Sequence, residues 1–365
     1  MKKIFYLLTL FILAVILAGG CAGQKQHPAA TSSGSVSTTG EQQTGEPRPE
    51  PQAATETTAT TAAPATETGG AVSAPAVNPV QANRLMLQVS RDFGGTVFFA
   101  QMVEYAGNTS LLDLMKAHLP IETAYGGSFI NSINGLSSSG GGLSGARQDW
   151  FNYINGICCD VGVLDYDPLN ANIVWWDYHR WKNGPSISAV IGSYPEPFLH
   201  GYRGKVKPAL IMVAGSEPGL AGGLQESLKS QGVAQIKVTD IDENNIANRS
   251  GPTIIVGAWG QLQQSDYLNK FNRAYSRNGT GVHFTEQGLE LLDWNGKGLR
   301  SIAGSAGIIV ASGEGLGDDS PLWLVAGTDR IGLQYALDLF NRPDQIKGHY
   351  GLAITAQELI VLPLQ

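Results

Sequence analysis

The sequence predicts a mixed α/β and α+β architecture: an N-terminal β-grasp-like domain followed by an α/β sandwich domain with a mainly parallel sheet. Two observations carry this. Residues 83 to 182 read as strands around one short helix, whereas from about Ser186 nearly continuous apolar strands alternate with glycine turns and amphipathic helices.

In the first domain, Leu85-Met86-Leu87-Gln88-Val89 and Thr96-Val97-Phe98-Phe99-Ala100 flank Gly94-Gly95, the pattern of a hairpin. Thr109 or Ser110 caps a helix that turns Leu111, Leu112, Leu114 and Met115 inward and ends before Pro120. Strand patterns follow over 128–135, 150–156 and 172–181, and Ser137 to Gly142 forms a loop between the third and fourth strands. Two strands, a helix and further strands compose a small β-grasp sheet packed on one helix.

The second domain repeats one local design three times. Residues 209–215 precede a helix over 219–230, residues 253–257 one over 261–275, and residues 322–327 one over 331–340. Fully apolar strands feeding helices indicate a sheet covered on both faces, which Ile236-Lys237-Val238 and the run 307–311 join. Ligands of such sheets bind beyond the carboxyl ends of the strands, where the glycine turns lie. None of these turns has the Lys-Ser/Thr of a P-loop or the full dinucleotide-binding spacing. Their glycines read as permitting tight strand-to-helix turns, and Trp259, a large aromatic on a predicted loop, is the binding candidate here.

Ahead of both domains, Met1-Lys2-Lys3 and the apolar run Ile4 to Leu17 form a signal-peptide pattern that ends in Leu17-Ala18-Gly19-Gly20-Cys21. The expected organisation is a lipoprotein signal peptide over 1–20, Cys21 as the lipid-attachment site, and a Thr/Pro/Ala-rich stalk over 21–81. The folded domains then span 82–183 and 184–365. From Gln24 to Val80 there is no Leu, Ile, Met, Phe, Tyr or Trp, so the stalk has nothing with which to offset its ordering entropy. The expected location is extracytoplasmic, anchored to a membrane by lipid, at the cell surface or on an outer membrane. A formal net charge of −7 disfavours nucleic acid as a partner.

Catalytic signatures are absent from the sequence: there is no Gly-X-Ser-X-Gly elbow, no His-Glu-X-X-His helix and no cysteine–histidine pair at recognisable spacing. The chain reads as a non-enzyme without a catalytic cofactor or a metal site. Cys158 and Cys159 are adjacent, a placement that pairs them poorly because a vicinal disulfide closes a strained ring.

Several segments in order carry a resemblance: 109–114, 126–135, Asp149-Trp150-Phe151-Asn152-Tyr153, 162–168, and the aromatic-ended strand Ile173 to Trp181. This stretch resembles the β-domain of the cobalamin carriers transcobalamin and intrinsic factor, and the related bacterial domains of unknown function (DUF4430). The resemblance implies a β-grasp face that lies against a corrinoid, contacted from Phe129 and Asn131 and from the last strand. The helical barrel that encloses the remainder of cobalamin in the animal carriers has no counterpart in this sequence.

Side chains alternate along a strand, so Val174, Trp176 and Tyr178 share one face of the last strand, and Trp175, Asp177, His179 and Trp181 the other. The first set is core. The second mixes two indoles with Asp and His, a composition suited to a binding face, or to a face that packs on the second domain with the ligand between them. Trp150 lies in the same aromatic-rich stretch and joins the candidates. The function expected is capture of a corrinoid, most simply cobalamin, for delivery to a membrane transporter; the alternative is a cell-envelope module that binds glycan or protein through its aromatic strand.

Overall fold

The computed structural model describes residues 82–140, 147–182, 186–216 and 218–365. The signal segment, Cys21, the stalk up to residue 81, Gly141 and Gly142, the 183/184 boundary and Glu217 lie outside the described residues. The described residues form one compact unit, and no described helix is long and apolar enough to cross a membrane.

The first half runs β1 (Asn83–Arg91), β2 (Thr96–Tyr105), α1 (Leu111–His118), β3 (Ile121–Ala124), β4 (Phe129–Ile133), β5 (Leu136–Ser137), β6 (Arg147–Ile154), β7 (Ile157–Cys158) and β8 (Ile173–Trp181). The expected hairpin is the antiparallel pair β1–β2. Ser110 starts α1 by accepting a hydrogen bond from the Asp113 amide, which satisfies one of the helix's orphan donors. Helix α1 buries Leu111, Leu112, Leu114 and Met115 against Leu85, Leu87 and Val89 of β1 and Val174, Trp176 and Tyr178 of β8.

The main sheet has the order β2-β1-β8-β6-β7, with β8 parallel to β1 and antiparallel to β6. The segment after Ser128 does not enter it. Strand β4 pairs instead with β3 and β5 in a separate small sheet. Trp150 Nε1 and the Tyr178 hydroxyl tie that sheet down by donating to the carbonyls of Leu136 and Ser137.

The second half contains β9 (Ala209–Val213), α2 (Pro218–Ser230), β10 (Ile236–Asp240), α3 (Glu243–Ala247), β11 (Thr253–Ala258), α4 (Trp259–Leu262) and α5 (Asp266–Arg273). It continues with β12 (Val282–Thr285), β13 (Gly288–Leu292), β14 (Gly298–Ile302), β15 (Gly307–Ser312), β16 (Leu322–Gly327), α6 (Arg330–Leu339), β17 (Gly351–Ile354) and β18 (Leu359–Leu362). The seven-stranded sheet has the order β10-β9-β11-β16-β15-β17-β18.

Its first four strands are mutually parallel and the other three ladders are antiparallel. The expected parallel sheet therefore makes up only part of the observed one. The link from β15 to β16 holds no crossover helix, and without one a strand returns antiparallel. The helix expected over 261–275 is likewise broken, because the Ser265 side chain accepts from the Leu268 amide and starts α5 as a new helix. Helices α2 and α6 cover one face of the sheet; α3, α4, α5 and the β12-β13-β14 meander cover the other.

Residues 186–192 join the halves. Cys158 N donates to Ser188 O and Val190 N to Gly156 O, which extends the β7 edge. Gly192 sits where the backbones nearly touch: a Cβ there would lie 2.6 Å from His349 N and 2.7 Å from Trp175 Cζ3. Replacing Gly192 by Ala should therefore lower stability by about 1–3 kcal/mol, the usual penalty for overpacking. Chemical denaturation of the variant would read this as an earlier midpoint, and an unchanged midpoint would contradict the packing described.

Candidate ligand-binding site

Strand β8 divides its side chains as its alternation dictates. Val174, Trp176 and Tyr178 face α1, while Trp175, together with Phe93, Tyr153, Cys158, Val190 and Tyr350, forms a second, smaller cluster on the opposite face. Tyr350 comes from the second half of the chain and meets Phe93, Tyr153 and Trp175 edge-on at centroid distances of 5.5, 5.3 and 5.1 Å. Asp177 lies beneath this cluster with no exposed surface.

A buried carboxylate is tolerated only when its lone pairs are occupied. Asp177 Oδ1 accepts from Ser90 Oγ at 2.5 Å and from Gly94 N at 3.0 Å. Its Oδ2 accepts from Phe93 N at 3.0 Å and faces His179 Nδ1 at 2.9 Å. Ser90 Oγ in turn accepts from Trp175 Nε1 at 2.7 Å, so the indole is part of the same chain. The two backbone donors come from a turn in which Asp92, Phe93 and Gly94 all have positive φ, at 56°, 57° and 83°. Successive amides in such a conformation converge on one point and bind an anion. The carboxylate thus holds together a turn that side chains other than glycine's seldom adopt.

His179 is the outermost member of this chain. Since Asp177 only accepts, the neutral ring carries its proton on Nδ1, and Nε2 is left as an acceptor. Phe151 stacks on one side of the imidazole (4.1 Å, 10°) and Phe93 on the other (4.3 Å, 26°). The Tyr350 hydroxyl stands 3.4 Å from Nδ1. Among the described residues no protein group bonds Nε2.

The imidazole borders a cavity of about 250 Å³ lined by Phe93, Phe151, Tyr153, Cys158, Trp181 and Trp294. The exposed Arg180, Lys182, Ser186 and Leu316 stand at its mouth. Trp181 is fixed there: its Nε1 donates to Asp149 Oδ2 at 2.5 Å, and the Arg147 guanidinium lies 5.2 Å over its ring. The phenols and the thiol deeper in are electrically neutral. Burial raises the phenols of Tyr153 and Tyr350 well above their ordinary value, and burial with the neighbouring Cys159 pushes the Cys158 thiol up to about 12. Cys158 is therefore neither a thiolate nor a nucleophile at neutral pH. Both cysteines are free, Cys158 on the cavity side and Cys159 against the α1-side core.

The residues singled out in the sequence fall in four places. His179 and Trp181 line the cavity, with Asp177 and Trp175 in the layer behind them. The face read as a binding face is thus buried at its centre by the second half of the chain and open only at its Trp181 end. Trp150 is buried in the α1-side core, because its position on β6 pairs with Tyr178 rather than with His179. Phe129 and Asn131 lie on the separate small sheet, where Phe129 is exposed beside Tyr125. Trp259 is part of the second half's core packing and stacks on Phe284 at 4.5 Å and 6°.

Sequence reading missed Ser90, Phe93, Phe151, Tyr153, Trp294 and Tyr350. Phe151 and Tyr153 carried a usable signal, alternating on β6 opposite the face of Trp150. Tyr350 and Trp294 lie far away in sequence and carried none.

The family model described as "Domain of unknown function (DUF4430)" matches residues 108–180, which span α1 through nearly all of β8. No curated protein matches the chain. A similar solved structure, from Ruminococcus gnavus ATCC 29149, is named a "putative metal binding protein". It is 11% identical, with 26% of this chain and 95% of that one covered and a TM-score of 0.21. Among the described residues here, no group of three or more His, Cys, Asp or Glu side chains is placed to hold a metal ion. Aromatic walls around a few fixed polar groups are the usual lining of a binding pocket.

Removing the Asp177 carboxylate strands two backbone amides, the Ser90 hydroxyl and the His179 Nδ1–H at once. Asp177→Ala should cost about 3–5 kcal/mol of folding stability, the range for breaking a buried charge network. Exposed carboxylates such as Asp167 should cost far less. Equal denaturation midpoints for the wild type and Asp177→Ala would refute the role given to this residue.

Proposed function

We propose that this protein is a non-catalytic, lipid-anchored, extracytoplasmic binding protein whose ligand seats in the cavity beneath Trp181, and that the ligand is a corrinoid passed on to a membrane transporter. The observation that carries the cavity as the seat is His179 Nε2. It is an acceptor without a protein partner, held between two phenyl rings at the edge of an aromatic-walled space. Rigid aromatic walls contact a flat ligand with little loss of side-chain entropy. The neutral thiol of Cys158 and the neutral phenols of Tyr153 and Tyr350 supply no activated nucleophile beside His179, which favours binding.

The corrinoid comes from the resemblance of 109–181 to the transcobalamin β-domain. Its chemistry suits the site: peripheral amides offer N–H donors to an imidazole acceptor, and a phosphate suits the cations Arg180 and Lys182 at the mouth. A cavity of about 250 Å³ receives one arm of such a ligand. The body of the macrocycle then lies outside, against Trp181 and Leu316.

A second reading has its own observation. The Tyr125 ring is 86% exposed, on a residue held at φ 51°, and meets Phe129 edge-on at 6.1 Å. An aromatic pair held out from the surface suits a sugar ring or a protein partner, which corresponds to the envelope-interaction role.

Titration of the full-length protein with cobalamin and cobinamide, by calorimetry and absorbance, separates the two. Corrinoid capture at the cavity predicts saturable binding weakened at least about tenfold by Trp181→Ala and unchanged by Tyr125→Ala. Absence of corrinoid binding, with retention on purified cell wall that Tyr125→Ala abolishes, would overturn it in favour of the second reading.

A further inference from the structure

We propose that His179 determines specificity in this cavity: its Nε2 accepts a hydrogen bond from an uncharged N–H or O–H donor on a flat group of the ligand. The inference rests on the cavity being the ligand seat, and it names the chemical group that the seat selects.

The orientation of the ring is over-determined. Nδ1 is committed to Asp177 Oδ2 at 2.9 Å, and the other three donors to that carboxylate leave it no freedom to rotate away. A flip of the imidazole would set a C–H against Oδ2 and forfeit a charge-assisted hydrogen bond. Phe93 and Phe151 at 4.3 and 4.1 Å leave no room for the ring to tilt. The side chain of a residue otherwise known for switching is thus set to present one lone pair in one direction.

That lone pair narrows what the cavity accepts. A purely apolar guest would desolvate Nε2 without replacing its hydrogen bond, and sites built around a buried polar atom reject guests that lack its complement. A negative group would meet a second lone pair with the Asp177 carboxylate behind it, so an anionic arm belongs outward, at Arg180 and Lys182. A free metal ion would need further ligands, and no His, Cys, Asp or Glu group among the described residues supplies them. The remaining class is a planar ring or amide with its donor inward and any anionic or polar arm outward. Peripheral carboxamides place a corrinoid within this class, and so do donor-bearing heteroaromatic acids.

Indole and 1-methylindole test this as a matched pair, with 3-methylindole as a control that keeps both the N–H and the extra methyl. Affinities for the full-length protein come from calorimetry or saturation-transfer NMR. The wild type should bind indole and 3-methylindole about tenfold more tightly than 1-methylindole, the value of one hydrogen bond to a buried acceptor. In His179→Phe the preference should fall to within about twofold, and His179→Gln, which keeps an acceptor, should restore part of it.

The wild-type ratio alone decides the matter should the variants fail to fold. If all three probes bind with equal affinity, and Trp181→Ala weakens all three, His179 is not the reader although the cavity remains the seat. If no probe binds, the seat itself is lost as a site for flat rings, and the inference falls with it.

Discussion

The buried carboxylate of Asp177 is the constraint on which the rest of this molecule depends. An unpaired carboxylate in a protein interior is prohibitively costly. Four donors from three separate parts of the first half answer it: Ser90 at the end of β1, the Phe93 and Gly94 amides of the following turn, and His179 on β8 itself. Satisfying one side chain therefore fixes a left-handed turn, an indole and an imidazole together. The second half then seals the cluster, with Tyr350 set edge-on to Phe93, Tyr153 and Trp175. The close approach of Gly192 to Trp175 and His349 makes the junction intolerant of even one added carbon.

This arrangement gives a site that is rigid before any ligand arrives. Phe93, His179 and Phe151 form a three-ring stack, and Trp181 is pinned by Asp149 and Arg147. Preorganisation of this kind lowers the entropy lost on binding. The same burial that stiffens the site holds the thiol of Cys158 and the phenols of Tyr153 and Tyr350 in their neutral forms. The charges at the mouth, Arg180 and Lys182, are positive, and the buried Asp177 carboxylate lies behind the wall of the cavity.

Local physics was legible in the sequence wherever it is decided locally. The β1–β2 hairpin, the Ser110 cap of α1, the two faces of β8 and the parallel strands β9, β10, β11 and β16 follow from period, capping and apolar runs. The antiparallel half of the second sheet did not, because strands of four residues such as β17 and β18 carry too few alternations to register as a pattern. Trp150 joined the candidates for lying in an aromatic-rich stretch, without regard to its strand face; its ring lies on the α1 side and that of Phe151 on the other. The aromatic cavity was half visible, in His179 and Trp181. Its other walls, Phe93, Phe151 and Trp294, and the Tyr350 that seals it are brought in by long-range topology, which no local spacing encodes.

The central claim is that Asp177 holds His179 in a single tautomer with a bare Nε2 facing the cavity. Long-range proton–nitrogen correlation NMR on protein labelled with 15N-histidine, with His179 assigned through the His179→Gln variant, reports the state of each ring nitrogen directly. With the ring in its neutral form, the account predicts a protonated Nδ1 and an unprotonated Nε2 for His179. A ring protonated at Nε2 with a bare Nδ1, or one exchanging rapidly between the two forms, would contradict it.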